Sequence, residues 1–237
     1  MFPQARVLRM DMDTTSKKGG HEEILSAFAE GEADILIGTQ MIVKGHDFPK
    51  VTLVGVLAAD LSLHAPDFAC GERTFQILTQ AAGRAGRGTD AGSVVIQTYL
   101  PDHYSIQAAA AQDYGLFYEK EMTYRRLLHY PPALCMLTIG AACGKEEVLI
   151  QAAETMGRTA KAAVNGAGEQ GDGRETGWEA GGPAPEIIGP VDAPIYKVND
   201  IYRKILYIKH ENYDILLRIR KEIEKLELPV MLSFDLQ

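Results

Sequence analysis

Cysteine is scarce in this chain: three residues in 237, Cys70, Cys135 and Cys143, stand far apart with no C-x-x-C pair. That excludes a disulfide framework and a cysteine-built zinc site, and it points to a reducing compartment. Long apolar runs are missing too. No stretch approaches the roughly 18 apolar residues of a membrane span, and the opening Met1-Phe2-Pro3-Gln4 carries no basic-then-apolar signal pattern. The expectation is a cytoplasmic protein with no membrane partner. Nor is positive charge in excess: Lys and Arg number 24 against 32 Asp and Glu, giving a net charge of −8 and a pI near 5.3. No whole-molecule field draws such a chain to nucleic acid or acidic lipid, so any contact of that kind is local. What is present, 46% hydrophobic and 24% charged residues, is the composition of an ordinary globular protein of one large domain or two small ones.

The first hundred residues alternate short β-branched apolar runs with helical stretches, the pattern of a parallel sheet covered by helices. Strands are expected at 6–10, 34–38, 51–57 and 93–99. Helices are expected at 21–30 and 72–83, where Ile24, Leu25 and Phe28, then Phe75, Ile77 and Leu78, recur at helical spacing. Ile35-Leu36-Ile37 and 51–57 are almost continuously apolar, which predicts strands buried on both faces.

From His103 the texture changes. Helices rich in Ala, Tyr, Leu and Glu are expected at 103–111 and 113–128, and Pro131-Pro132 stops the second. Then come strand 134–140, helix 145–164, strands 186–191 and 202–210, helix 212–226 and strand 230–234. Strand, helix, strand, strand, helix, strand is the split βαβ order of a ferredoxin-like α+β sandwich. The chain therefore divides into an α/β domain at 1–102, a helical connector at 103–132 and an α+β domain at 133–237. Within the last, 165–185 holds seven glycines and the lone Trp178, with almost no aliphatic residue, and reads as a flexible insertion.

The strongest local signal is Gln80-Ala81-Ala82-Gly83-Arg84-Ala85-Gly86-Arg87, where the second helix should end. Two arginines three apart, separated by small residues, can aim planar guanidinium forks at phosphate oxygens. The plainer alternative is a solvated helix end. About forty residues upstream, just after a strand, lies Gly38-Thr39-Gln40-Met41-Ile42-Val43-Lys44-Gly45-His46-Asp47-Phe48, and loops at the C-terminal ends of parallel strands are where such sheets bind ligands. Thr39 and Gln40 offer a hydroxyl and an amide to a phosphate backbone, Lys44 a cation, and Asp47 a carboxylate suited to a ribose hydroxyl. Ordinary turn chemistry would explain Thr39 and Gln40 equally well. His46 and His64 have no partners at metal-ligand spacing, so no metal site is expected.

These segments, with Arg6–Asp11, Ala58-Ala59-Asp60 and Glu72–Gln76, resemble the second RecA-like motor lobe of a superfamily-two helicase. More narrowly, the chain is similar to the PriA family (primosomal protein N′) of replication-restart helicases. That likeness rests on Thr39-Gln40-Met41, Lys44–Pro49, Asp67-Phe68, Thr79–Arg87, Gln97-Thr98-Tyr99, Tyr130-Pro131-Pro132 and Tyr202-Arg203-Lys204. It implies that 38–48 is helicase motif V and 80–87 motif VI. Gln80, Arg84 and Arg87 would face the γ-phosphate of ATP, with Arg87, or else Arg84, as the arginine finger. Asp47, with Gly45 beside it, would meet the nucleotide, while Thr39, Gln40 and Lys44 grip the DNA strand. The family usually carries arginine where this chain has Ala69, which weakens any charged contact from that loop.

A phosphate loop of the form G-x-x-x-x-G-K-[ST] is missing, since Gly144-Lys145 is followed by Glu146, and so is a D-E-x-H box. The run 53–63 with Asp60 imitates a Walker B strand, but without a phosphate loop nothing delivers Mg-ATP to it. By the resemblance, the phosphate loop, the metal-binding carboxylates and the zinc cysteines lie upstream, so the expectation is a C-terminal portion inactive on its own. ATP and Mg would be bound mainly by the other lobe, and zinc only by the parent. The resemblance further implies branched and single-stranded DNA, single-stranded DNA-binding protein and primosome proteins as partners. Between Tyr196 and Lys225, eight basic residues stand against five acidic ones, with Tyr196, Tyr202 and Tyr207 among them. Arg203 and Lys204 are the candidate DNA contacts there; alternatively, these strand residues form an ordinary solvated face. Two other classes compete: a related repair or recombination translocase, and a non-enzymatic docking module.

Overall fold

The computed structural model describes residues 3–11, 13–14, 19–43, 48–86, 91–165 and 183–237. Most of the expected insertion, 166–182, lies outside the described residues. The chain forms two compact units, Met1–Glu121 and Met122–Gln237.

In the first unit β1 (Val7–Met10), α1 (Gly20–Glu30) and β2 (Ile35–Gly38) are followed by a 3-10 turn at Gln40–Val43. Then come β3 (Leu53–Val56), a 3-10 segment at Ala59–His64, α2 (Cys70–Ala82), β4 (Ser93–Ile96) and α3 (Tyr104–Ala111). The strands pair in parallel, β1 with β2 from Val7↔Ile35 and β3 with β4 from Leu53↔Ser93. Among the described residues they form two separate two-stranded ribbons, not the single doubly covered sheet the apolar runs suggested. Ile37 is 55% exposed and Leu53 62%. Each strand is only four residues long, and α1 lies beside β1 and α2 beside β3; exposed and less exposed residues alternate along β3 and β4, so one face of each ribbon stays open.

Burial in this unit centres on α2. Gly71, Thr74, Phe75, Leu78 and Ala81 recur at three- and four-residue steps and make one buried stripe. Phe75 and Leu78 pack with Ala59, Ile106, Ala108, Ala109 and Phe117, and the Phe75 and Phe117 rings stack at 4.3 Å. Burying each such large side chain contributes about 1.5–3 kcal/mol. Because α3 and the start of α4 (Tyr114–Leu127) supply half of that cluster, the first unit reaches past residue 102. The Tyr104 hydroxyl donates to Glu121 Oε2 at 2.6 Å, which with desolvation pushes the phenol above its usual range.

The second unit orders β5 (Cys135–Cys143), α5 (Glu146–Asn165), β6 (Glu186–Val198), β7 (Ile201–His210), α6 (Tyr213–Glu224) and β8 (Met231–Leu236). Its sheet runs β6-β7-β5-β8 with every neighbouring pair antiparallel. Leu137 and Ile139 of β5, Leu206 and Ile208 of β7, Leu149 and Met156 of α5, and Leu216, Ile219 and Ile223 of α6 form one buried core. Asn212 caps α6, its side-chain oxygen accepting from the Asp214 N–H at 2.8 Å. Strand β6 runs seven residues beyond the expected end at Val191. Pro190 and Pro194 cannot donate to a ladder, and the register shifts at Ile188/Val191 and Asp192/Lys197 carry the strand past them.

Among the described residues no helix is long and apolar enough to cross a membrane.

Candidate functional site

Strand β2 ends where Gly38 meets the facing strand: a Cβ there would lie 2.6 Å from the Met10 carbonyl oxygen and 2.8 Å from the Ile42 side chain. Only glycine lets the backbone pass and turn at once. The turn follows immediately, with the Ile42 N–H donating to the Thr39 carbonyl at 3.2 Å. Thr39 and Gln40 are exposed at this strand end. Lys44, Gly45 and Asp47 fall outside the described residues. Beyond them, Phe48 packs edge-on against Phe28 of α1, ring centroids 5.1 Å apart.

Helix α2 runs alongside the Gln40–Val43 turn, so the helix that leads into the second segment is a neighbour in space of the turn in the first. Its buried stripe leaves Gln80 exposed on the last full turn. The helix closes through the Gly83 N–H on the Thr79 carbonyl and the Arg84 N–H on the Ala81 carbonyl, both at 3.0 Å. Arg84 sits in that closing turn, half-buried, with its Nε out of solvent. Gly86 leaves the turn at φ +71°, its N–H bound to the Val51 carbonyl at 3.0 Å. Arg87 lies outside the described residues.

Asp60, the Walker B imitation, is buried and accepts from the Tyr99 backbone N–H at 3.0 Å. That bond holds its carboxyl below the usual carboxylate range. It ties the end of β4 to the 3-10 segment, a structural task. At the loop carrying Ala69, Asp67 pairs with Arg73 and also accepts from the Ala69 N–H at 2.9 Å. Among the described residues, no group of three or more His, Cys, Asp or Glu side chains could hold a metal ion.

The C-terminal candidates separate. Arg203 is exposed, whereas its neighbour Lys204 faces the helix-covered side in line with Leu206 and Ile208, its ammonium 2.5 Å from Asp192 Oδ1. Alternation along a strand sends the two to opposite faces. Tyr196 donates to Glu146 Oε1 at 2.7 Å and lies edge-on to Tyr202, whose ring carries the Lys197 ammonium at 4.7 Å. These tyrosines are engaged within the protein.

Sequence reasoning missed the use made of Tyr130-Pro131-Pro132. The buried Arg125 donates to the Pro131 carbonyl at 2.8 Å, and the buried Lys209 donates to the Leu128 carbonyl at 2.9 Å with the Tyr130 ring 4.0 Å away. The proline pair was the available signal; it marks where carbonyls lose their helical donors and side-chain cations take over.

The helicase conserved C-terminal domain matches residues 3–89, from before β1 to just past the turn that closes α2. Along the whole chain, the match to the replication restart protein PriA of Bacillus subtilis (strain 168) is 45% identical over 246 residues, covering 28% of that protein. The chain belongs to the PriA family. The PriA of Chlamydia pneumoniae is 50% identical over 137 residues, 58% of this chain and 18% of its own length. The PriA of Synechocystis is 38% identical over 215 residues, 90% of this chain and 24% of its own length. The chain thus spans less than a third of the length of the PriA relatives it matches. The matched helicase domain includes Thr39, Gln40, Gln80, Arg84 and Arg87.

Proposed function

We propose that this chain supplies the second motor lobe and a C-terminal domain of an ATP-dependent DNA helicase that reassembles the replication machinery at stalled forks. The observation that carries this is the match to a PriA protein along the chain's entire length. It favours replication restart over a repair translocase, and the helicase domain favours a motor over a docking module.

In this reading, α2 presents Gln80, Arg84 and then Arg87 to the γ-phosphate, with Arg87 as the finger, and Asp47 and Gly45 approach the nucleotide. The donor set fits: an exposed amide and a half-buried guanidinium at one helix end match phosphate oxygens. Bound Mg-ATP supplies the phosphoryl group, and the chain's part is to stabilise charge on it. The chain lacks the phosphate loop, so on its own it is inactive. Thr39, Gln40 and Lys44 contact the DNA strand, and the neighbouring turn and helix support coupling of that grip to the nucleotide. The second unit is a split βαβ sandwich of ferredoxin type, supported by β7 lying between β5 and β6. It binds forks, single-stranded DNA or primosome partners such as single-stranded DNA-binding protein in the cytoplasm, through exposed Arg203 with Lys204 in support. Residues 103–132 join the two functional parts, and zinc belongs to the parent protein.

The test is Arg87→Ala in the full-length protein: DNA-dependent ATP turnover should fall by about 10³-fold or more with unchanged melting. Undiminished turnover removes the finger assignment. Anisotropy binding of forked, single-stranded and duplex DNA across a salt series then tests Arg203→Glu.

A further inference from the structure

We propose that Gly92 is a positioning residue for the motor, acting through a backbone clasp with Gly86 that sets how the chain enters Arg87; this rests on the reading of Arg87 as the arginine finger. The two glycines touch across the β3 edge. A Cβ on Gly86 would lie 2.5 Å from the Gly92 nitrogen and 2.9 Å from its Cα, and a Cβ on Gly92 would strike the Gly86 nitrogen and lie 2.7 Å from its Cα. Every close atom is backbone, so no side chain can swing away to make room. Gly86 also stands at φ +71°, a conformation that side chains disfavour.

The clasp is anchored on both sides. The Gly86 N–H donates to the Val51 carbonyl at 3.0 Å, and the Ser93 N–H donates to the adjacent Thr52 carbonyl at 2.8 Å. The chain therefore departs from Gly86 and returns at Gly92 through a crossing hydrogen-bonded to two consecutive residues. Gly86 immediately precedes Arg87, so its backbone orientation determines the direction in which that arginine starts. Gly92 lies outside the Gln80–Arg87 motif and touches it only through backbone. Its effect on turnover must pass through the motif's placement.

The test uses the full-length protein, measuring DNA-stimulated ATP turnover, the KM for ATP and melting for Gly92→Ala, Arg87→Ala and the double variant. Gly55→Ala in β3 is the control, since a Cβ there meets nothing within 4 Å. Gly92→Ala should lower kcat by about 10²-fold, as an ångström-scale misplacement does, with the KM for ATP within a few-fold. The double variant should be no slower than Arg87→Ala alone. If Gly92→Ala melts below the parent, turnover of both is compared at a temperature where the variant is fully folded, and the same selective fall in kcat is expected. Normal turnover in the folded Gly92→Ala variant, or a double variant slower than Arg87→Ala by the full Gly92→Ala factor, overturns the clasp while leaving the finger intact. Normal turnover in Arg87→Ala overturns the finger and the clasp with it.

Discussion

The Lys209 ammonium lies 4.0 Å from the centroid of the Tyr130 ring while donating to the Leu128 carbonyl at 2.9 Å. A buried cation on a central strand thus holds the chain where α4 has ended. Lys209→Met keeps the length but leaves the carbonyl without its donor. It should cost about 2 kcal/mol, a charged hydrogen bond contributing about 1.5–3. Tyr130→Leu should cost about 1 kcal/mol from the lost cation–π contact. Urea unfolding of the two variants and the parent would show it; an unmoved midpoint for Lys209→Met would mean that the Lys209 contacts to Leu128 and Tyr130 add nothing.

Acid should weaken the first unit through Asp34. Arg6 donates to it from Nε, Nη2 and its backbone N–H, and these bonds hold the carboxyl at about 2. A depressed carboxylate stabilises the folded state above its unfolded pKa, about 4. That contribution is lost as pH falls from about 4 towards 2. Both side chains are about half exposed, so the effect should be modest and screened by salt. Comparing unfolding of Asp34→Asn with the parent across this range tests it: the difference should shrink on acidification.

Alkali should act in the opposite sense on Tyr196. Its hydrogen bond to Glu146 pushes the phenol up to about 12, because ionising it would set two negative groups together. The neutral phenol's contribution is complete below about pH 10, the ordinary tyrosine value, and fades as pH rises towards 12. Spectroscopic titration should show late tyrosines, of which Tyr196→Phe removes one and Glu146→Gln shifts that one down, while Tyr104 stays late in both variants.

Truncations should separate exposed strand residues from the true core. Leu78, 2% exposed, should cost about 2–5 kcal/mol on change to alanine. Ile37, 55% exposed, should cost about 0.5 kcal/mol. Equal losses at the two positions would show that the open ribbon face is covered in the working protein.

Local chemistry was legible without coordinates. The stripe of α2 and the proline stop after α4 are short-range consequences of side-chain spacing and backbone donors, so their elements lie within a few residues of expectation. The two segments proposed to face phosphate and DNA stand out for the same reason: glycines beside arginine, and polar residues at a strand end, are local patterns. Strand β6 was not, because its continuation past Pro190 depends on register shifts against β7 that no local pattern encodes.

By itself the amino-acid sequence determined which residue types are offered for the proposed phosphate and DNA contacts, and in what order helices and strands follow. Tertiary structure alone decided which faces are covered. Ile35-Leu36-Ile37 is apolar enough for a doubly buried strand, yet burial depends on what packs across it, and one side is open. Arg203 and Lys204 look equivalent in sequence, but a pleated strand sends them to opposite faces, and Lys204 is drawn into an ion pair with Asp192. The approach of Gly92 to Gly86 is likewise a matter of two backbones meeting on one strand edge, a contact that spacing along the chain does not specify.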